Sequence, residues 1–126
     1  MEPIVLTLSR GRLALRMTCV RLGGDLCVTL AGGEREHIGA VALSQPRPSL
    51  EGGGAVSAST SVLTLLGHKE DDLARELAAM LASRLGAVVC LACGIHLDGI
   101  TGDELAAVPD LARALAETLA ERLARP

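Results

Sequence analysis

Ser57-Ala58-Ser59-Thr60-Ser61-Val62-Leu63-Thr64-Leu65-Leu66-Gly67-His68-Lys69-Glu70-Asp71-Asp72 opens in the rhythm of a strand and closes as the start of a helix. Ser57, Ser59 and Ser61 alternate with Ala58, Thr60 and Val62, so one face of the strand carries hydroxyls. Gly67 breaks it. Glu70, Asp71 and Asp72 then fall where acids suit the positive end of a helix dipole. His68 and Lys69 stand at the junction, and Lys69 is the only lysine beside 11 arginines. A strand-to-helix junction holds side chains steadily at a sheet edge. The same residues also suit an ordinary solvated turn.

Outward from this stretch, the preceding chain reads as hairpins. Ile4 to Ser9 is a short strand, and Arg10-Gly11-Arg12 turns it. Leu13, Leu15, Met17 and Cys19 alternate with polar or small residues in a second strand. The alternation slips at Val20-Arg21-Leu22, where a bulge is expected. Gly23-Gly24-Asp25 signals a hairpin into a third strand carrying Leu26, Val28 and Leu30. His37 to Ser44 is a fourth strand, with Gly39 marking a bulge or a close backbone approach. Gln45 to Ala55, rich in Pro and Gly, reads as a long loop.

Downstream, a helix is expected from about His68 to Arg84, with Leu73, Leu77, Met80, Leu81 and Leu85 as its stripe and Gly86 as its end. Ala87 to Gly99 is the most apolar strand and is expected at the sheet centre. Val89, Leu91, Cys93, Ile95 and Leu97 share one of its faces; Cys90, Gly94, His96 and Asp98 share the other. Thr101 and Glu104 have the spacing of a capping box. Pro109 is expected to start or restart a last helix striped by Leu111, Leu115, Leu119 and Leu123. Hairpins first and helices late predict one α+β domain over 1–126: a mostly antiparallel sheet of about six strands with two helices packed on one face.

Composition narrows the chemistry. The 126 residues include no Trp, Tyr or Phe, which removes the usual platforms for stacking bases or flavin rings. A net charge of −3 argues against a nucleic-acid partner. Residues 67–126 carry 10 acidic against 6 basic side chains, so the acidity is concentrated in the helical half. No leader is read at Met1-Glu2-Pro3, and no apolar run reaches the ~18 residues of a membrane span. The expectation is a cytoplasmic chain with its four cysteines reduced.

Several constellations carry candidate chemistry. His96 and Asp98, two apart at a strand end, can orient an imidazole, bind a metal or hold a ligand hydroxyl or phosphate; they equally suit a strand end facing water. His37, His68 and His96 are the only histidines and, with Asp98, supply enough ligands for a metal, though at no zinc-motif spacing. Cys90-x-x-Cys93 resembles a redox motif, but residues three apart in a strand point to opposite faces. Gly52-Gly53-Gly54 lacks the Lys-Ser/Thr and helix of a phosphate loop. Phosphate at the first helix is disfavoured by Glu70, Asp71 and Asp72, so it would need Arg47, Lys69, a histidine or the serine hydroxyls. Ser59 or Ser61, a histidine and Asp98 can be drawn as a triad on paper, as almost any chain allows.

His37–Ser44, Pro46-Arg47-Pro48-Ser49, Ser59-Thr60-Ser61, Gly67–Asp71 and Cys93–Ile100 together resemble the prenylated-flavin chaperones, the small D-type accessory proteins of gallate-type UbiD decarboxylases. The resemblance covers roughly residues 22–125. From Leu65 onward the chain also resembles the eukaryotic proteasome-assembly chaperones, which implies their small α+β fold, commonly paired as dimers. The family resemblance implies a carrier more than a catalyst. It would hold prenylated FMN, assist its oxidative maturation, and pass it transiently to an apo-decarboxylase. The implied ligand set is His37, Arg47, Ser59, Thr60, Ser61, His68, Lys69, His96 and Asp98. Without aromatics, the ring would rest on aliphatic side chains, backbone or an imidazole. Two other functions fit the residues: a protein-assembly chaperone with no small ligand, and a small metal-dependent enzyme using His37, His68 and His96.

Overall fold

A computed structural model describes residues 2–50, 53–65 and 70–124. The elements are β1 (Ile4–Arg10), β2 (Leu13–Leu22), β3 (Asp25–Gly33), β4 (Ala40–Pro48), β5 (Val56–Thr64), α1 (Asp71–Leu85), β6 (Val89–His96) and α2 (Gly102–Ala124). They form one six-stranded sheet in the order β1-β2-β3-β6-β4-β5, backed on one face by both helices. All pairings are antiparallel except β3 with β6. The α+β expectation therefore holds, and the most apolar strand is central.

Two-residue turns close the first two hairpins, pairing Arg10 with Leu13 and Leu22 with Asp25. The expected bulge at Val20-Arg21-Leu22 does not form. The β2–β3 register runs unbroken through all three residues, because Val20 and Leu22 simply point their apolar side chains to the uncovered face.

The second correction concerns Gln45–Pro48, which is strand and not loop. Two prolines in a strand are allowed only where no N–H is required. Ser49 N–H donates to Ala55 O and Leu65 N–H donates to Gly39 O, both on the β4–β5 register, so odd-numbered residues of β4 face β5. Pro46 and Pro48 thus turn away from β5, toward the side where β6 pairing has already ended at Ser44–Val89. At the other end, β4 starts at Ala40 and not at His37.

The core fills the space between sheet and helices. Leu13, Leu15, Met17, Val28, Leu30, Val89, Leu91 and Cys93 meet Leu77, Leu81, Leu115 and Leu119, all buried. Ser44 is the one buried polar side chain among the described residues, and its hydroxyl is shared with Thr60 Oγ1 at 2.8 Å. Helix α1 ends at Gly86, whose N–H caps Ala82 O. Helix α2 starts with the expected capping box: Thr101 N–H to Glu104 Oε1 at 2.9 Å and Glu104 N–H to Thr101 Oγ1 at 3.1 Å. It then runs through Pro109 as one helix, so Pro109 neither starts nor restarts it. The ring only deprives the exposed Leu105 of an intrahelical donor, and water can replace that bond.

A strap, residues 34–39, leaves β3 and crosses the end of β6 before entering β4. Gly33 makes the exit with φ +76°, and a Cβ there would collide with the His96 carbonyl. Glu34 N–H donates to that carbonyl at 2.6 Å, and Gly39 N–H reaches Cys93 O at 2.8 Å, one residue off the β4–β6 register. His37 O lies over Gly94 Cα so closely that a methyl at 94 would overlap it. The offset expected at Gly39 is thus present, whereas the close backbone approach falls at Gly94 and Gly39 itself abuts the Glu70 carboxylate.

Replacing Gly94 with Ala is expected to cost about 2 kcal/mol or more, because two backbones must part. Gly24→Ala, whose new methyl meets nothing within 4 Å, is expected to change stability by under about 0.5 kcal/mol. Urea denaturation of both variants checks the contrast; equal losses would mean the strap does not press on β6.

Candidate functional site

Strand alternation sorts the candidate residues by face. Even-numbered residues of β6 point away from the helices, as do odd-numbered residues of β4 and β5. The uncovered face therefore presents Cys90, Ala92 and His96 beside Val41, Leu43, Gln45 and Arg47, then Leu63, Ser61, Ser59 and Ser57. Leu43 is 47% exposed and Leu63 78% exposed, so apolar surface on this face is open to solvent. Arg47 Nε donates to Ser59 Oγ at 2.9 Å, and Arg47 Nη1 donates to Pro48 O at 3.2 Å. No carboxylate among the described residues pairs with it.

Thr60 belongs to the other face, where it satisfies Ser44. The structure does not bring it to Ser59 and Ser61. His68 and Lys69, with Gly67 beside them, lie outside the described residues. The metal trio of His37, His68 and His96 is therefore described only in part. Among the described residues, no group of three His, Cys, Asp or Glu is arranged to hold a metal ion.

His96 and Asp98 do come together, with His96 Nε2 to Asp98 Oδ1 at 2.7 Å. Arg35 of the strap completes a triangle, its Nη2 lying 3.1 Å from each of them. Asp98 N–H donates to Glu34 Oε1 at 3.0 Å, and Arg12 Nη2 donates to Asp98 O at 2.9 Å. Arg12 also forks onto Glu104 at 2.7 and 2.9 Å. The Asp98 carboxyl is held below its ordinary value by the His96 hydrogen bond first and Arg35 second. Glu104 is held down to about 2, chiefly by Arg12 and then by the Thr101 backbone.

His37 occupies a neighbouring position on the strap. Its Nε2 lies 3.2 Å from Glu70 Oε1, which also accepts the Ile95 N–H at 3.4 Å. The Glu70 carboxylate rests against Gly39, where a Cβ would strike it. Thus Glu70, read from the sequence only as an acid suited to a helix start, is the residue that ties strap, β6 and α1 together. Arg35 carried no signal beyond turn composition; only the parallel β3–β6 pairing brings Gly33, and hence Arg35, beside His96.

The candidate ligands fall into two groups. His37, His96 and Asp98 gather at the C-terminal end of β6. Arg47, Ser59 and Ser61 lie along the β4–β5 hairpin. Six residues of strand separate Val41 from Arg47, about 20 Å at ~3.3 Å per residue. Only an elongated ligand lying along the uncovered face meets both groups.

This architecture defines a small α+β fold of the proteasome-assembly-chaperone type. A solved chain from a chaperone complex for yeast 20S proteasome assembly matches it with a TM-score of 0.59 over 97% of each chain, at 16% identity. No curated protein matches the chain. The family model described as the prenylated flavin chaperone LpdD-like domain matches residues 9–124, and the chain belongs to that family.

The charge network yields a pH prediction. Asp98 and Glu104 have folded pKa values below their ordinary ones, so they stabilise the fold above about pH 4.5. That contribution is lost as pH falls toward about 2. Glu104→Gln keeps the capping box but loses the charge. Its melting temperature is expected to lie below wild type at neutral pH and to converge with it near pH 2. Curves that stay parallel across this window would show that the Arg12–Glu104 pair adds nothing to stability.

Proposed function

We propose that this protein binds prenylated FMN along the uncovered sheet face and delivers it to a UbiD-type decarboxylase. Family membership supports the flavin, and the pattern of side chains on that face supports its placement. Arg47, half-buried and without a carboxylate partner among the described residues, suits the phosphate. Ser57, Ser59 and Ser61 supply hydroxyls at strand spacing for the ribityl chain. Leu43, Val41, Cys90 and Ala92 form a low aliphatic surface for the ring system, and His96 stands beyond it for a polar edge. The cargo's reactive chemistry is its own; these residues bind and orient it.

The competing location is a helix-side cleft of about 400 Å³ lined by Glu70, Asp72, Leu73, Glu76, Ile95 and Arg113 among others. Its polar rim is acidic, and Arg113 is already forked onto Glu76 at 2.5 and 2.8 Å. A phosphate is repelled there, which favours the uncovered face. That face also leaves Val20, Leu43 and Leu63 exposed, and a second copy laid over it would cover both the cargo and these side chains. A homodimer is therefore part of the proposal. Shallow aliphatic contact in place of aromatic stacking suits a cargo that must later leave.

Binding is read by absorption after desalting. With no Trp or Tyr, the chain itself is nearly dark at 280 nm. Wild type is expected to retain a flavin band at one per chain or one per dimer. Arg47→Ala is expected to weaken retention by about 10- to 100-fold, the worth of a charge-assisted hydrogen bond. Thr60→Ala is expected to leave retention unchanged while lowering stability by about 1–3 kcal/mol, because Ser44 loses its partner. A dark wild-type sample would reject flavin retention; an Arg47→Ala protein that binds like wild type would reject the placement.

A further inference from the structure

On the uncovered face, Cys27 of β3 stands directly opposite Cys90 of β6 in the parallel register. Both thiols are free and half-buried. Laterally they are bounded by Val20 on β2 and Leu43 on β4, and the next row along holds Thr29 and Ala92. The two thiols sense each other: that of Cys90 is pushed up by burial first, then by the charge and hydrogen bond of Cys27. The other two cysteines are different. Cys19 and Cys93 are buried on the helix side, and burial followed by the Glu70 charge pushes Cys93 up to about 12.

Spacing decides what such a pair can do. Strands in register lie about 4.8 Å apart, and their paired side chains stand side by side at that distance. A relaxed disulfide needs Cβ atoms about 3.5–4.5 Å apart, so direct oxidation would pinch the sheet. A linear sulfur–metal–sulfur bridge with bonds of roughly 2.3 Å holds its sulfurs about 4.6 Å apart, close to the strand spacing. Structural zinc and iron–sulfur centres take four protein ligands and catalytic zinc takes three, and among the described residues no third His, Cys, Asp or Glu joins the pair. The apolar flanks favour a soft, easily dehydrated ion over a hard one.

We infer that Cys27 and Cys90 form a two-coordinate site for a soft monovalent d10 cation, Cu(I) or Ag(I). Binding replaces two S–H bonds with two metal–sulfur bonds and releases two protons to solvent, with no change in oxidation state. The site is argued independently of the flavin reading but shares Cys90 with the proposed ring seat, so ion and cargo compete for that surface.

The test uses the full chain, reduced and free of air. Ag(I), and Cu(I) supplied from a bicinchoninate complex, are titrated while sulfur-to-metal charge-transfer absorption is followed in the ultraviolet. The absence of Trp and Tyr leaves that window clear. The expected result is one ion per chain. Cys27→Ser and Cys90→Ser are each expected to weaken binding by at least about 100-fold, and Cys19→Ser to leave it unchanged. Should a serine variant fail to fold, alkylation mapping of the wild-type protein decides instead: the bound ion should shield Cys27 and Cys90 together. Loading that survives either substitution, protection of only one thiol, or one ion shared by two chains would overturn the site.

Discussion

The seating of β6 between β3 and β4 is the constraint on which the molecule depends. Its odd-numbered residues Val89, Leu91 and Cys93 are fully buried under the helices, while its backbone pairs on both sides. β6 follows α1 in the chain yet closes the sheet at its centre, so the β1–β2–β3 meander and the β4–β5 hairpin, which share no strand pairing, become one surface. Without that insertion, β3 and β4 would each expose an unpaired edge. The close crossing at Gly94, the off-register bond from Gly39 and the Glu70 anchor all exist because the strap must pass over the end of this one strand.

Putting both helices on one face has a consequence on the other. The uncovered face is neither a typical solvated surface nor a core. It carries Val20, Leu43 and Leu63 with small residues between them, hydroxyls along β5, and guanidinium and imidazole groups toward opposite ends. A surface of this kind marks an interaction site, since large apolar patches are seldom left open. The chain belongs to the prenylated flavin chaperone family, and the cargo proposed above has the character this face suits. The acidic helix side, with Glu70, Asp72 and Glu76 around its cleft, is unsuited to the same anion.

The ion pairs divide into those that organise the fold and those that merely decorate it. Arg12 ties the β1–β2 turn to the start of α2 and to the Asp98 backbone, and so holds the β6–α2 connection against the sheet end. Arg84 with Glu117 and Arg113 with Glu76 cross between the two helices at exposed positions, where solvent screening leaves each pair worth little. Arg35, His96 and Asp98 lie between these extremes, exposed yet mutually oriented.

Much of this was legible along the chain because it is local. Period-two alternation gave the strands, Gly23-Gly24 the hairpin, Thr101 with Glu104 the cap, and the face assignment of Cys90 and Cys93 followed from strand geometry alone. The readings that needed revision turned on neighbours. Pro46 and Pro48 sit in a strand because β6 pairing has already ended beside them, and Pro109 is tolerated because the carbonyl it frees belongs to the exposed Leu105, where water can replace the bond. The site divides in the same way. The hydroxyl face of β5 and the His96–Asp98 pair could be read from spacing, since their members lie within a few residues of one another in the chain. Arg35 beside His96, Glu70 under the strap, Thr60 turned toward Ser44, and Cys27 opposite Cys90 could not. Each joins elements far apart in sequence, and only the order in which strands enter the sheet decides which side chains become neighbours.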